Sequence, residues 1–441
     1  MKGSSTNLAQ SAANSAPHVP HFPPYTRYRD GELCVEDVPL SSIAERFGTP
    51  TYVYSRRSIV ERFDAFAQAF SQPGECICVS VKANSNLSLL KLLAERGSGF
   101  DVVSIGELKR VIAAGGDPRK TVFAGVGKTD EEIRFAIEHD ILLINVESLP
   151  ELERVNALAV EAGKKARVAL RVNPDVDAKT HHHINTGMEA HKFGIPFADA
   201  VQTYQNHAAF PGLDFAGVDC HIGSLITDAS VFDEAFSRLA AMVGEVAAAV
   251  PDLRYVDIGG GLGVTYDGSP VPSIAEYASI VRRCLSGLHV KVIVEPGRAI
   301  FAEAGTLLSR VVFVKKARHK EFMILDAGFN DLIRPVLYDA YHEIVAVREP
   351  AKDGSDLIVA DVVGPVCETA DCFAHDRQLP LSQRGDLIAV QTAGAYGAVM
   401  ASNYNTRGRP AEVLVDGGEV RIIRPRENAE ELFKSELAVL S

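Results

Sequence analysis

Cys76-Ile-Cys-Val-Ser-Val-Lys-Ala-Asn84 is a short apolar run that ends in a lysine. It has no helical period, carries β-branched residues and follows a Pro73-Gly74 breaker, so it reads as a buried strand. An ammonium group at the exit of such a strand is costly to bury unless it has a partner or a task. Lys82 is either a strand-capping charge that reaches water or, kept partly neutral by apolar walls and nearby cations, a Schiff-base nucleophile. Cys76 and Cys78 are expected to project from opposite faces of this strand.

Outward from this stretch a rhythm appears. Apolar β-type runs occur at Cys76–Val81, Gly99–Val103, Thr121–Ala124, Ile141–Val146, Ala166–Val172, Phe215–Cys220, Arg254–Ile258 and Val290–Val294. Between them lie amphipathic helical stretches such as Leu87–Arg96, Ile105–Ala114, Asp130–His139 and Leu149–Ala162. Strands alternating with helices imply right-handed βαβ units and a parallel sheet. Eight units match an α/β fold of the closed (β/α)8 TIM-barrel type, with a doubly wound open sheet as the structural alternative.

On the N-terminal side, residues 1–24 are rich in Ser, Ala, Asn and Pro, lack the apolar run of a signal peptide, and read as a disordered tail. Arg29–Val35 reads as a hairpin segment, Val38–Phe47 as a short helix ended by Gly48, and Thr51–Tyr54 as a strand. Beyond about Val311 short strands with turn signals take over, at Ser309–Val314, Phe322–Ala327, Leu357–Val363, Asp386–Gln391, Ala411–Val415 and Val420–Ile423. The expected organisation is a barrel over residues 50–306 and a second, mostly β domain (barrel or sandwich) made of 25–49 together with 307–441.

The chain has 441 residues, of which 46% are hydrophobic and 23% charged, with a net charge of -12. That charge argues against a nucleic-acid surface and against anionic membranes, and suits small-molecule work in solution. The most apolar helical stretch, Val231–Val250, carries Asp233, Glu234, Arg238 and Glu245, so no membrane span is expected. Seven scattered cysteines give neither a disulfide framework nor a zinc spacing, which points to a reducing cytoplasm and to no structural metal. Three adjacent histidines, His181–His183, offer poor geometry for one ion.

In such barrels chemistry sits at the C-terminal ends of the strands. The exits here carry Lys82, Ser104, Arg171 with Asn173, His221 in Cys-His-Ile-Gly-Ser224, Gly259-Gly-Gly-Leu-Gly263, and Glu295-Pro-Gly-Arg298. The last two loops occupy the usual phosphate position of the fold. Gly259, Gly260 and Gly261 let backbone N–H groups approach a phosphate, and Ser224 and Arg298 add a hydroxyl and a charge. Each feature has a plainer reading: a tight turn for the glycines, a packed ring for His221, an ion pair with Arg298 for Glu295. Taken together, a lysine, a phosphate cradle and a carboxylate point to pyridoxal 5'-phosphate, whose aldehyde needs an amine and whose ring nitrogen needs an acidic partner. Glu295 is the candidate for that partner, and His221 for the group stacked on the ring.

Val-Lys82-Ala-Asn, His221-Ile-Gly-Ser224, Gly259-Gly-Gly261 and Glu295-Pro-Gly-Arg298 resemble the alanine-racemase-like, fold-type III pyridoxal enzymes. Further stretches narrow the resemblance to the diaminopimelate decarboxylase family. These are Asn173–Thr180, Lys192-Phe-Gly194, Asn330–His342, Gly364-Pro-Val-Cys-Glu368 and Gly394–Ser402. The resemblance runs from about residue 25 to the end, and the motifs are specific jointly rather than singly.

The resemblance implies that Lys82 carries the cofactor, Glu295 partners the pyridine nitrogen and His221 stacks on the ring. It places Ser224, Gly259–Gly261, Pro296, Gly297 and Arg298 around the phosphate, with Arg298 also reaching substrate. Arg334 and Tyr338 match residues that hold the far end of the substrate, Cys367 the proton donor, Glu368 a contact to the distal ammonium, and Tyr396 a residue touching cofactor and substrate. Cys367 and Glu368 would reach the partner's site in a homodimer with shared active sites, and the loop at His181–Gly187 would cover the site. Taken alone, Cys367 could equally be a buried small hydrophobe and Arg334 a surface charge.

Two departures stand out. Thr369 replaces the family's usual serine after Cys-Glu, and Val79-Ser-Val precedes Lys82 where many members have an aromatic residue and alanine, which alters what borders the cofactor. The implied reaction is decarboxylation of meso-2,6-diaminopimelate to L-lysine and carbon dioxide. The competing readings are an ornithine- or carboxynorspermidine-type decarboxylase, which Arg334 and Glu368 disfavour, and a pyridoxal-phosphate carrier without catalysis, which the second domain disfavours.

Overall fold

The computed structural model describes residues 19–173, 192–351 and 355–440. Most of the expected N-terminal tail and the whole His181–Gly187 loop lie outside the described residues. Eight parallel strands close into a barrel: Cys76–Ser80, Gly99–Val102, Thr121–Phe123, Leu143–Val146, Ala166–Arg171, Leu213–Asp219, Tyr255–Asp257 and Lys291–Val294. Neighbours in the ring are neighbours in sequence, and the eighth strand pairs with the first through Ile293 with Cys76 and Val294 with Ile77. The open-sheet alternative is thereby excluded.

Six buried side chains, Cys78, Val122, Leu143, Ala169, Ala216 and Ile293, fill the barrel interior. Cys76 and Cys78 do not face opposite ways. Side chains two residues apart on a strand share a face, and the two Sγ atoms lie 3.5 Å apart. All seven cysteines are free thiols. Most helices between strands start at polar caps. Ser104 accepts from the Glu107 amide and Ser148 from the Glu151 amide, while Thr129 and Glu132 form a reciprocal capping box. Ser104, noted above only as a polar residue at a strand exit, is therefore a helix cap. Among the described residues no helix is long and apolar enough to cross a membrane.

The second unit is a mostly β sheet in the order Cys372–Pro380, Leu357–Val363, Glu321–Leu325, Gly305–Lys316, Thr51–Ser55, Ala411–Asp416, Glu419–Arg424, with Leu387–Val390 and Ile344–Ala346 branching from it. Thr51–Ser55, which a boundary at residue 50 assigns to the barrel, pairs antiparallel with Gly305–Leu308 and parallel with Ala411–Val415, inside this sheet. Cys372–Pro380 escaped the sequence reading because it is an edge strand with one partner, polar along much of its length and without a β-branched residue. The sheet reaches the barrel mouth through two backbone-anchored contacts. The Tyr396 amide donates to the Ala83 carbonyl (2.8 Å) and Asn84 Nδ2 to the Gly394 carbonyl (3.1 Å), so Tyr396 is tied to the turn that carries Lys82.

Candidate active site

Lys82 sits in the one-turn helix Val81–Ala83 that follows the first barrel strand. Its Nζ lies 2.5 Å from Asp101 Oδ2, and Ser80 Oγ donates to the same oxygen at 2.7 Å. Asp101 is fully buried on the second strand, and its Oδ1 has no partner among the described residues. This overturns the expectation of a lysine held partly neutral by apolar walls and cations. Burial does disfavour the charge, but the Asp101 carboxylate, the largest opposing influence, pushes the Lys82 amine above its ordinary value. In this structure the amine is the ion-pair partner of Asp101. Ser80, part of the unusual lead-in, is the residue that orients Asp101.

Glu295 lies at the end of the eighth strand, 6% exposed, and its Oε1 has no hydrogen-bond partner among the described residues. Burial, then Asp101 and Asp257, raise its carboxyl well above the carboxylate range. Asp257 is raised to about 6, mainly by burial, although Asn145 Nδ2 (3.0 Å) and the Gly259 amide (3.0 Å) both donate to it. The plainer alternative for Glu295, an ion pair with Arg298, does not form. Arg298 Nη1 donates to Tyr266 Oη at 2.8 Å and Nη2 to Ser224 Oγ at 3.2 Å. His221 is held neutral, since burial and then the Arg171 and Lys82 charges push its pKa well down.

The glycine run wraps these groups closely. Gly259 has φ +64°, and a Cβ there would lie 2.4 Å from His221 Nδ1; one at Gly260 would lie 2.4 Å from the Glu295 carbonyl oxygen. Only backbone without a side chain fits there. Lys82, His221, Ser224, Gly260, Gly261, Glu295, Pro296, Gly297, Arg298, Tyr338 and Tyr396 all line one cavity of about 470 Å³. Gly259 supports its wall from behind, through His221 and Asp257. This donor set fits pyridoxal phosphate: an amine, a neutral imidazole, a buried carboxyl oxygen without a partner, and a cradle that any Cβ would fill.

A second cavity of about 340 Å³ is lined by Arg334 and Tyr266, and shares Arg298 and Tyr338 with the first. Arg334 opens the short helix Arg334–Tyr338 and is 3% exposed, so it is not a surface charge. Tyr396 adopts φ +55°, a conformation few non-glycine residues take, and its ring lies 4.9 Å from the Arg298 guanidinium carbon. Cys367 and Glu368 are exposed and line neither cavity; the Cys367 amide donates to Asn405 Oδ1 at 3.0 Å. A single chain thus gathers every expected site residue except these two.

Sequence reasoning missed the buried acids Asp101, Asp219 and Asp257, with Asn145, the Arg171–Glu147 pair (2.9 Å), Tyr266 and His342. A signal was available. Asp101 interrupts, and Asp219 and Asp257 end, mainly apolar strands, where a buried carboxylate is expensive without a purpose.

Residues 56–302 match the family described as pyridoxal-dependent decarboxylase, pyridoxal binding domain. The chain is 50% identical over 408 residues to a diaminopimelate decarboxylase of Neisseria meningitidis, covering 92% of this chain and 100% of the relative. It is 51% identical over 409 residues to that of Pseudomonas aeruginosa, covering 93% and 98%. Among solved structures, the diaminopimelate decarboxylase of Helicobacter pylori complexed with L-lysine superposes with a TM-score of 0.87 at 40% identity, covering 91% of this chain and 100% of that one. With the barrel, the lysine at its mouth and the unpartnered carboxyl oxygen already in place, these likenesses extend over both domains, and the chain belongs to the diaminopimelate decarboxylase family of pyridoxal-dependent decarboxylases.

Proposed function

We propose that this protein removes carbon dioxide from meso-2,6-diaminopimelate and releases L-lysine, using pyridoxal phosphate. The observation that carries the reading is the shared cavity. Lys82 and the partnerless Oε1 of Glu295 belong to its wall, and two buried arginines continue from it into the adjoining space. Bound pyridoxal phosphate supplies an electron sink for the pair left behind by departing carbon dioxide. Glu295 would hold a proton at the ring nitrogen, and His221, neutral, would stack on the ring. The Gly260–Gly261 backbone, Ser224, Pro296, Gly297 and Arg298 would receive the phosphate, with Gly259 backing that wall, and Asp101 would take up the proton that Lys82 must lose before its nitrogen is a nucleophile.

Arg334 and Tyr338, with Arg298, fix the far carboxylate of the substrate by charge-assisted bonds, and Glu368 receives its distal ammonium. Cys367 delivers the proton to the carbon that loses carbon dioxide, as general acid. Because Cys367 and Glu368 are exposed and away from the cavity of their own chain, they act in the site of a second copy, and the working form is a homodimer. Free thiols throughout support a reducing cytoplasm as its place.

The test is carbon dioxide release by the holoenzyme from meso-diaminopimelate, LL-diaminopimelate, ornithine and lysine offered separately. Release from the meso form alone, lost in Lys82→Ala, is the expected result. Release from ornithine instead would overturn the distal-end assignment, and cofactor binding with no release from any substrate would leave only a carrier. Mixing inactive Lys82→Ala and Cys367→Ala proteins should restore up to about a quarter of the wild-type sites if the sites are shared between subunits, as random pairing of two chains requires. No recovery on mixing would refute the shared site.

A further inference from the structure

Behind Arg298 and Arg334 stands a layer with no assigned role. Tyr266 touches both arginines, accepting from Arg298 Nη1 at 2.8 Å while its ring lies 4.8 Å from the Arg334 guanidinium carbon. His342 stands edge-on to the same ring, with centroids 5.3 Å apart, and its Nε2 lies 3.0 Å from Arg334 Nη1. The other nitrogen, Nδ1, lies 2.9 Å from the Gln391 carbonyl oxygen.

These contacts fix the histidine's protonation. A carbonyl only accepts, so Nδ1 carries the hydrogen. A guanidinium only donates, so Nε2 is bare and accepts from Arg334. A second proton would set an N–H against an N–H. Burial, and then the Arg334 charge, hold the imidazole neutral by lowering its pKa to about 3. The hydrogen bonds of both arginines thus go to uncharged acceptors. The Nε atoms of Arg298 and Arg334 are buried without a partner among the described residues. Two buried cations held by a hydroxyl, an imidazole and ring faces, with none of these bonds made to a carboxylate, are arranged to receive an anion.

We propose that Tyr266 and His342 are positioning residues that aim Arg298 and Arg334 as one cradle, and that this layer sets the preference for ligands bearing a far-end carboxylate. The inference rests on the reading of the preceding subsection and deepens it. Arg334→Ala would only remove the cradle. The layer behind it predicts something narrower, a loss confined to the carboxylate.

The experiment compares wild type, Tyr266→Phe, His342→Leu and His342→Gln as holoenzymes. It measures kcat and KM for meso-diaminopimelate, and inhibition constants for L-lysine and for cadaverine, the same diamine without the carboxylate. His342→Leu deletes the acceptor for Arg334, and Tyr266→Phe deletes only the hydroxyl. A hydrogen bond to a charged group is worth enough for about a tenfold weakening of L-lysine in each. Cadaverine should change less than about twofold, and KM should rise more than kcat falls. His342→Gln offers an amide that accepts from Arg334 and donates to Gln391, and should return L-lysine to within about threefold of wild type. Equal weakening of L-lysine and cadaverine would reduce the layer to scaffolding and overturn the proposal, as would no change for either. If His342→Leu does not fold, Tyr266→Phe decides alone. If wild type releases no carbon dioxide from meso-diaminopimelate, the functional reading fails separately, and calorimetric binding of the two diamines still tests the cradle.

Discussion

Glu295→Gln should stabilise the cofactor-free protein at neutral pH while weakening its hold on pyridoxal phosphate. The carboxyl is buried, its Oε1 has no partner among the described residues, and Asp101 and Asp257 add repulsion, so its folded-state pKa is raised. The sign follows from proton counting. Above the unfolded value of about 4.3 the unfolded chain has released this proton while the folded chain keeps it, so stability falls as pH rises, by about 1.4 kcal/mol per pH unit, until Glu295 ionises in the fold. Glutamine has nearly the same shape and no proton to lose. The stability difference, variant minus wild type, should therefore grow from pH 5 upward until Glu295 ionises in the fold, with a slope of at most about 1.4 kcal/mol per pH unit. Asp257, itself raised to about 6, titrates with Glu295 as a pair and keeps a smaller slope in the variant. Equilibrium urea unfolding of both cofactor-free proteins at pH 5 and at pH 7 reads the difference. Cofactor titration by absorbance reads the opposing loss, of about ten- to hundredfold, from one charge-assisted hydrogen bond. A stability difference that does not change with pH would refute the account of a proton held by burial.

Three further outcomes follow from the same geometry. Asp101→Asn removes the carboxylate 2.5 Å from Lys82 Nζ and lowers the amine's pKa, so an amine reagent at pH 8 should modify cofactor-free protein faster by about tenfold or more; an unchanged rate would refute the pairing. Gly260→Ala forces a Cβ to within 2.4 Å of the Glu295 carbonyl oxygen, and the backbone shift should cost about 1–3 kcal/mol of stability together with cofactor affinity, seen by thermal unfolding and absorbance titration. His342 has the opposite sign to Glu295. Its pKa is lowered to about 3, so the unfolded chain binds the extra proton first, and stability is lost as pH falls from about 6.5 towards 3; His342→Gln should lack this acid loss of about 1.4 kcal/mol per pH unit in urea unfolding.

The barrel was legible because its strands are buried on both faces and read as largely apolar runs, most of them followed by a capped helix. Lys82, Glu295 and Arg298 were legible because charged residues end such runs. The state of Lys82 was not, since Asp101 comes from the neighbouring strand, 19 residues away in sequence, and nothing local announces the contact. The same holds for Tyr266 and His342, which meet Arg334 from a loop and from beyond its own helix. Cys367 and Glu368 were named by resemblance alone, because both are exposed and line neither cavity of the single chain. The misreading of Cys76 and Cys78 came from confusing alternation of neighbours with alternation of every second residue.

The pairing of Thr51–Ser55 has a consequence for synthesis on the ribosome. This strand emerges before any barrel strand, yet its partners begin at residues 305 and 411. At about 5–20 residues per second, the ribosome leaves it without a sheet for on the order of ten seconds or more. Over that interval the barrel's own ladder can close by short, sequential connections, while the strand carrying Tyr52, Val53 and Tyr54, fully buried in the finished protein, lacks both of its ladder partners. The nascent chain is therefore a complete barrel trailing an exposed apolar ribbon, and that ribbon is where a chaperone would bind first and where a stalled or truncated chain would aggregate.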